Sequence, residues 1–504
     1  MSDYSVTLPV PDYIYDRARQ IAQGTAQSIE AVLVQQLKDA FTEPLPALPP
    51  DEQSELEALA HNALRGEVWD RAVAYYRQAG AKAATRWALR EAAAAFEQAL
   101  VALQQFPDSR AMREQAIDLR IDLSRALWPL GNHAQRFEYL YQAEILAEGI
   151  DDKQRLGRLF PDMIQHFRVM GDDDRLIEYS ERAHTLARAI GDFRLQVSTH
   201  LALGRAYYDM CDYHRAIEFL GKIVASLAGG RSHERFSGAS ALSRVWLAMS
   251  LVEQGKFAEG IAHAEEAVRI AAAVENPFSL TQAYFGVGGL YVTKGELQQA
   301  IRALEHSLEL CQIRDLPLLF PMIASQLGYA YALTGRVAEA LTLMEQGMEQ
   351  GMKQLPSLSS SSRPRWVAYL SEAYLLAGRV EDAMQVAGRA LSLSREHKGR
   401  GHQAYALRLL GEIAAQRQPP EVEQAEAYYR QALALASELD MRPLQAHCHL
   451  GLGTLYAKTG RPEPARAEIS AAIEMYHTMD MTFWLPQAEA ALTQANDGKV
   501  AWGK

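Results

Sequence analysis

Histidines beside a cysteine, a run of carboxylates and a lysine-threonine pair next to a glycine are the groups in this chain whose spacing invites chemistry. His447, Cys448 and His449 are consecutive, and all three are zinc-ligand types. On a helix, positions two apart point about 200° from one another, so these imidazoles cannot share a tetrahedral ion as histidines four apart do. Asp172, Asp173 and Asp174 place three carboxylates in a row. They fit a solvated turn with helix-start charge rather than a calcium or magnesium site. Ala457-Lys458-Thr459-Gly460 imitates the end of a phosphate-binding loop but lacks the upstream glycine spacing that would cradle phosphate. Cys211, Cys311 and Cys448 are far apart and in no metal spacing, which points to a reducing compartment without a disulfide framework. No nucleophile with a base, paired acids in a pocket or phosphate cradle is evident. The expectation is therefore no enzyme, no cofactor and no metal.

The elements that must position any functional side chain are helical hairpins. In Leu327 to Leu341, LGYAYALTGRVAEAL, Leu327, Gly328 and Tyr331 share one helical face, and Gly335 stops that helix where a residue without Cβ turns the chain. Ala340 lies five residues further on, where a larger side chain would hold the two helices apart. Turn glycines recur at Gly131, Gly171, Gly255, Gly295, Gly335, Gly378 and Gly460, at intervals of forty residues or near multiples. Near residue 211 the series continues through Cys211-Asp212 without its glycine, still flanked by Leu203-Gly204, Tyr207 and Ala216. Such a period identifies a repeat array. An aromatic or leucine precedes most turns by four residues, and Ala300, Ala340, Ala383 and Ala465 follow by five. The aromatic stripe, including Tyr207, Tyr291, Tyr331, Tyr374 and Tyr456, is expected to be inter-repeat core.

Composition agrees. The 504-residue chain is 48% hydrophobic, rich in alanine and leucine, and has few β-branched runs, so helix is expected throughout. A solenoid grows by stacking neighbours, so this length does not require three closed domains. The net charge of −11 provides no basic surplus for broad binding to nucleic acid or anionic membranes. The start, MSDYSVTLPVPDY, has neither a basic n-region nor an apolar h-region, and no stretch reaches membrane-spanning length. The expected location is the cytoplasm.

The chain divides into a module over 1–43, a proline-rich linker over 44–54 with Pro44, Pro46, Pro49 and Pro50, a repeat array over 55–478, a capping helix over 479–495 and a disordered tail over 496–504. LSSSS at Leu358 to Ser362 and Pro419-Pro420 are loop insertions within the array. In the first module Val6, Leu8 and Val10 alternate with Ser5, Thr7 and Pro9 as in a short strand. Asp12 and Ser28 can each cap a following helix. This strand-helix-helix pattern resembles the ribbon-helix-helix family of bacterial regulators and antitoxins. The resemblance implies a homodimer through residues 1–43 and, at the outward positions Ser5 and Thr7, contact with the DNA major groove. Neither residue is basic, and acidic residues outnumber basic ones here, so DNA affinity is expected to be poor. The module is expected to dimerise or dock; the alternative is a DNA-binding regulator or antitoxin-like protein.

Leu452-Gly453-x-x-Tyr456, Gly460 and Ala465 form the pattern of the tetratricopeptide repeat, which the array resembles in a form of about forty residues. The fold expected is all-α: a superhelical solenoid of about ten or eleven antiparallel helix pairs, with the small β-α-α module ahead of it. The segments ALRGEVWDRAV, GYAYALTGRVAEAL, AYLLAGRVEDA, LRLLGEIAA and AHCHLGLGTLYAKTGR are similar to the C-terminal repeats of bacterial class III adenylate/guanylate cyclase–ATPase signalling proteins. The cyclase and ATPase parts are absent from this chain. The resemblance implies an interaction scaffold in bacterial signalling, or a non-catalytic subunit of a cyclase/ATPase system. A protein or peptide partner is expected on the concave face, lined by the first helix of each repeat. Positions five before and two after each repeat leucine give Gln282, Tyr329, Arg365, Glu372, Tyr405, Glu412, His447 and Arg205; Tyr208 and Arg408 lie beside them. Aromatic, cationic and anionic groups mixed in this way suit a peptide or helix bringing hydrogen bonds and a few apolar anchors.

Overall fold

The computed structural model describes residues 53–227, 237–274, 276–354, 363–396 and 398–497. The expected strand-helix-helix module over 1–43, most of the 44–54 linker and the LSSSS insertion lie outside the described residues. Among those described, secondary structure is entirely helical, with 22 helices. The described residues fall into two compact units, divided between 112 and 113. In the first, α1 (Gln53–Arg65), α2 (Trp69–Thr85) and α3 (Leu89–Leu103) pack in succession, and α1 already starts within the stretch expected as linker.

The second unit takes up α4 (Arg110–Leu127) from its first turn and continues with α5 (His133–Gly149), α6 (Lys153–Met170), α7 (Asp173–Ile190), α8 (Phe193–Asp209) and α9 (Tyr213–Leu227). It then runs through α10 (Ser237–Glu253), α11 (Phe257–Ala273), α12 (Pro277–Lys294), α13 (Leu297–Ile313), α14 (Phe320–Leu333) and α15 (Val337–Gln354). The last part comprises α16 (Arg363–Leu376), α17 (Val380–Glu396), α18 (Arg400–Gln416), α19 (Val422–Glu438), α20 (Arg442–Lys458), α21 (Pro462–Thr478) and α22 (Leu485–Asp497).

Left-handed backbone residues punctuate this series every twenty positions: Gly131, Asp151, Gly171, Gly191 and Cys211 in one stretch, Gly295, Asp315 and Gly335 in another. The glycines predicted from the forty-residue period therefore mark alternate turns. Cys211 carries the turn without a glycine, at φ 62°. Several helices begin on an aspartate: Asp152 and Asp172 each accept the N–H three residues on, satisfying an orphan donor of the first turn. Asp172 thus belongs to a helix start.

Each hairpin closes on its small residues. Ala300, Ala340, Ala383 and Ala465 are all fully buried. A Cβ added to Gly328 would overlap Met344 of the paired helix, which explains the glycine after the repeat leucine. Ala340→Arg must push α14 and α15 apart, at a cost of at least about 1–3 kcal/mol. Lower helicity and a depressed melting temperature are expected; an unchanged melting curve would contradict this crossing. Successive hairpins are riveted by tyrosines. The Tyr331, Tyr374 and Tyr456 hydroxyls donate to Glu305, Glu345 and Glu426 of the preceding second helices, at 2.8, 2.8 and 2.9 Å. Arg336, Arg379 and Arg461 lie over the same rings at 3.7, 4.4 and 4.2 Å.

The second unit also winds far enough to touch itself. Lys294 reaches Asp480 at 2.8 Å, and one buried cluster joins Val252, Phe257 and Leu290 to Leu450, Tyr476 and Met479. The terminal segment takes part in this closure. The helix expected over 479–495 starts at Leu485 after a turn, because Phe483 and Trp484 are spent on the contact with Gly295. It runs to Asp497, into the stretch expected as disordered tail, with Ala495 buried beside Leu455 and Ile469. The closure turns the inner face of this unit into a narrow interior.

Candidate functional site

A helix stripe needs residues three or four apart, and the repeat leucine fixes which ones face inward. The positions five before and two after it, singled out above, belong to a stripe that also includes one before and six after. Trp246, Gln326 and Tyr369 occupy the position before; Asp209 and Glu253 occupy the sixth after. All five contribute to the interior of the second unit, where Glu253 and Tyr369 supply partners to Arg365, Tyr405 and Tyr329.

Arg365 on α16 forms an ion pair with Glu253 on α10, 112 residues earlier, with the two side chains only 12% and 3% exposed. The Tyr405 hydroxyl donates to the other Glu253 oxygen at 2.9 Å, and Arg365 Nε donates to the Tyr369 hydroxyl at 2.9 Å. The Tyr369 ring stacks on Tyr329 at 4.3 Å, and the Tyr329 hydroxyl donates to Glu372 at 2.9 Å. Glu372 receives Arg408 at 2.6 Å, while the other arm of Arg408 reaches Glu412 at 2.8 Å. Six of the ten sequence-predicted residues, Tyr329, Arg365, Glu372, Tyr405, Arg408 and Glu412, are thus joined in one relay, whose two hydrogen-bonded halves meet at the Tyr329–Tyr369 ring stack. Burial raises the phenols of Tyr329 and Tyr405 well above the ordinary tyrosine range, with Arg365 opposing this at Tyr405, so both remain neutral donors.

His447 stands next to this relay: Nδ1 is 2.8 Å from the Tyr476 hydroxyl and the ring meets Trp484 edge-on. His449 instead contacts Glu468 at 2.5 Å, and Cys448 is fully buried between them. Arg205 and Tyr208 lie further toward the N-terminal side, where Trp246 lies beneath the Arg205 guanidinium at 4.2 Å. Gln282 is 1% exposed and its amide atoms have no hydrogen-bond partner. The structure does not bring it into the relay.

The paired arginines divide the interior into three spaces. The first, about 80 Å³, is lined largely by aromatic and aliphatic groups and is bordered by Arg365 and Tyr369. These two residues also border the second, about 60 Å³, which extends to Arg408 and His447. The third, about 180 Å³, begins at Arg408 and Glu372 and opens past Glu412 toward the exposed Gln416 and Lys458. Both cations of the relay are matched, Arg365 by Glu253 and Arg408 by Glu372 and Glu412, so the two arginines brace the fold while Glu412, 34% exposed, faces the mouth. Nothing in this arrangement places a nucleophile beside a base. No group of three or more metal-ligand side chains occurs among the described residues, and no helix among them is long and apolar enough to cross a membrane.

Comparison with known proteins follows the geometry. The family pattern described as tetratricopeptide repeat matches residues 239–313, spanning α10 to α13. The 43 kDa receptor-associated protein of the synapse from Tetronarce californica is 19% identical over 346 residues, covering 67% of this chain and 73% of that protein. Among solved structures, a Rap protein complexed with competence and sporulation factor superposes with a TM-score of 0.52 at 14% identity, covering 73% of this chain and 98% of its own. That identity speaks to fold alone. The repeating hairpins, the family match and this superposition together make the described array a tetratricopeptide-repeat solenoid.

Proposed function

We propose that the chain is a non-catalytic interaction scaffold of a bacterial signalling or regulatory system, and that a protein or peptide segment enters the second unit at the mouth beside Glu412. The observation that carries the reading is the third space. It offers partly exposed Glu412, exposed Gln416 and Lys458, and a wall of Tyr429, Leu450 and Leu455. An extended segment can pair its backbone and charged groups with the first set and rest an apolar side chain on the second. The ion-paired relay behind it supplies a rigid floor, which lowers the ordering cost of binding. Two similarities support the reading. The protein that shares the fold was solved with a bound competence and sporulation factor, and the sequence relative is associated with a receptor.

Capture from the native cell extract tests this, comparing the intact chain with Glu412→Ala/Lys458→Ala. Both substitutions lie at the mouth, so the fold should survive, and at least a tenfold loss of one set of captured proteins is expected. Retention of the same proteins by both baits would move the partner to another face.

A further inference from the structure

The first interior space has a feature that the relay does not explain. Arg205 is 8% exposed and lines this cavity, yet among the described residues it makes no ion pair, and its Nε has no hydrogen-bond partner there. Every other cation of the cavity is matched: Arg168 pairs with Asp209, and Arg365 with Glu253. The ring of Trp246 lies beneath the Arg205 guanidinium, and a ring face is a poor substitute for an anion. Around it stand further buried polar atoms without partners: both ring nitrogens of His402, the Trp246 indole N–H and Gln326 Oε1. The rest of the wall is apolar, with Phe278, Phe285 and Met249 among its residues.

A buried cation without an anion is strongly unfavourable. Its conjunction with an apolar cavity and several unpaired hydrogen-bonding groups is the composition of a small-molecule pocket. We propose that this cavity binds a small organic acid, its carboxylate on Arg205 and its aromatic or branched aliphatic body against Trp246, Phe278 and Phe285. Burial presses the Arg205 guanidinium well below its ordinary range; nearby Arg168 adds to this, and Asp209, already paired with Arg168, only partly opposes it. The Trp246 indole and the neutral His402 can donate to, or accept from, the same ligand head. This site is separate from the mouth at Glu412 and does not rest on the partner proposed there.

The test uses the full chain with phenylacetate and 4-methylpentanoate as acids, phenylacetamide as the neutral counterpart, and N-acetyl-dipeptide acids ending in Phe or Leu. Trp246 and Trp366 border the cavity, so tryptophan fluorescence reads occupancy, with calorimetry as a second readout. Saturable binding of at least one acid is expected, at least tenfold tighter than the amide, and lost in Arg205→Met. Arg205→Met should melt at or above the native temperature when no ligand is present, because it removes an unmatched buried charge. Should that variant fail to fold, the acid-to-amide ratio on the native chain decides alone. Equal binding of acid and amide, no saturable response to either acid, or full binding by folded Arg205→Met would overturn the site. Tighter binding of the dipeptide acids than of the free acids would overturn the small-molecule assignment in favour of a peptide terminus.

Discussion

Lowering the pH from 7.5 to 5 is expected to remove about 6 kcal/mol of stability from the second unit, about 2 kcal/mol for each of three buried histidines. His133, His166 and His402 are 5%, 4% and 5% exposed. Burial presses His133 and His166 down to about 3, and His402 to about 4. Neighbouring cations add to this: Arg136 and Arg168 at His133, Arg136 and Arg175 at His166, and Arg365 at His402, where Asp209 and Glu253 oppose it. Folded, all three remain neutral where the unfolded chain takes up protons near pH 6.5. Their contribution is thus complete above about pH 6.5 and is lost as pH falls through the window from there to about 3 or 4. Thermal melts followed by circular dichroism should move steadily down over this range. His402→Gln, which keeps a polar group of similar reach, should flatten the slope by about one third. A melting temperature constant between pH 7 and 5 would show that these imidazoles meet solvent or an anion.

The same residues show how far sequence reasoning reached. Turn glycines such as Gly335 and Gly460 are legible because few other residues take positive φ without strain. They reveal the forty-residue period, and the buried alanine of each hairpin follows from it. The intervening turns at Asp151, Asp315, Asp440 and Asp480 use the same backbone region without glycine, so the twenty-residue half-period stays hidden. Inward-facing positions were legible only in part: two of four stripe positions identify Arg365 and Tyr405 but pass over Glu253. That omission has a physical cause. Each repeat contacts its neighbours through local pattern, whereas the meeting of α10 with α16 and α18 depends on small rotations accumulated over several repeats. No local spacing records that sum. It also follows that a residue chosen as a groove contact, such as Arg365, can be a structural brace.

Arg365→Leu should therefore cost about 3–5 kcal/mol, a far larger loss than a surface groove residue would show. The variant leaves the Glu253 carboxylate, 3% exposed, with only the Tyr405 hydroxyl. Glu253→Leu is expected to be similarly damaging, because it strands the Arg365 guanidinium against Tyr369 and Tyr405. The double variant Glu253→Leu/Arg365→Leu removes both charges and fills the space with apolar volume, so most of the loss should be recovered. Chemical denaturation of the four proteins gives the coupling directly: two residues 112 apart in sequence should show an interaction energy of at least about 1 kcal/mol. Strict additivity of the single losses would mean that the two windings do not meet at this pair. Recovery in the double variant has a further consequence for the interior. With Arg365 gone, the wall between the first two spaces is apolar, while the unmatched charge of Arg205 is untouched. A carboxylate held by Arg205 should then bind the double variant about as tightly as the native chain, whereas one held by Arg365 should not.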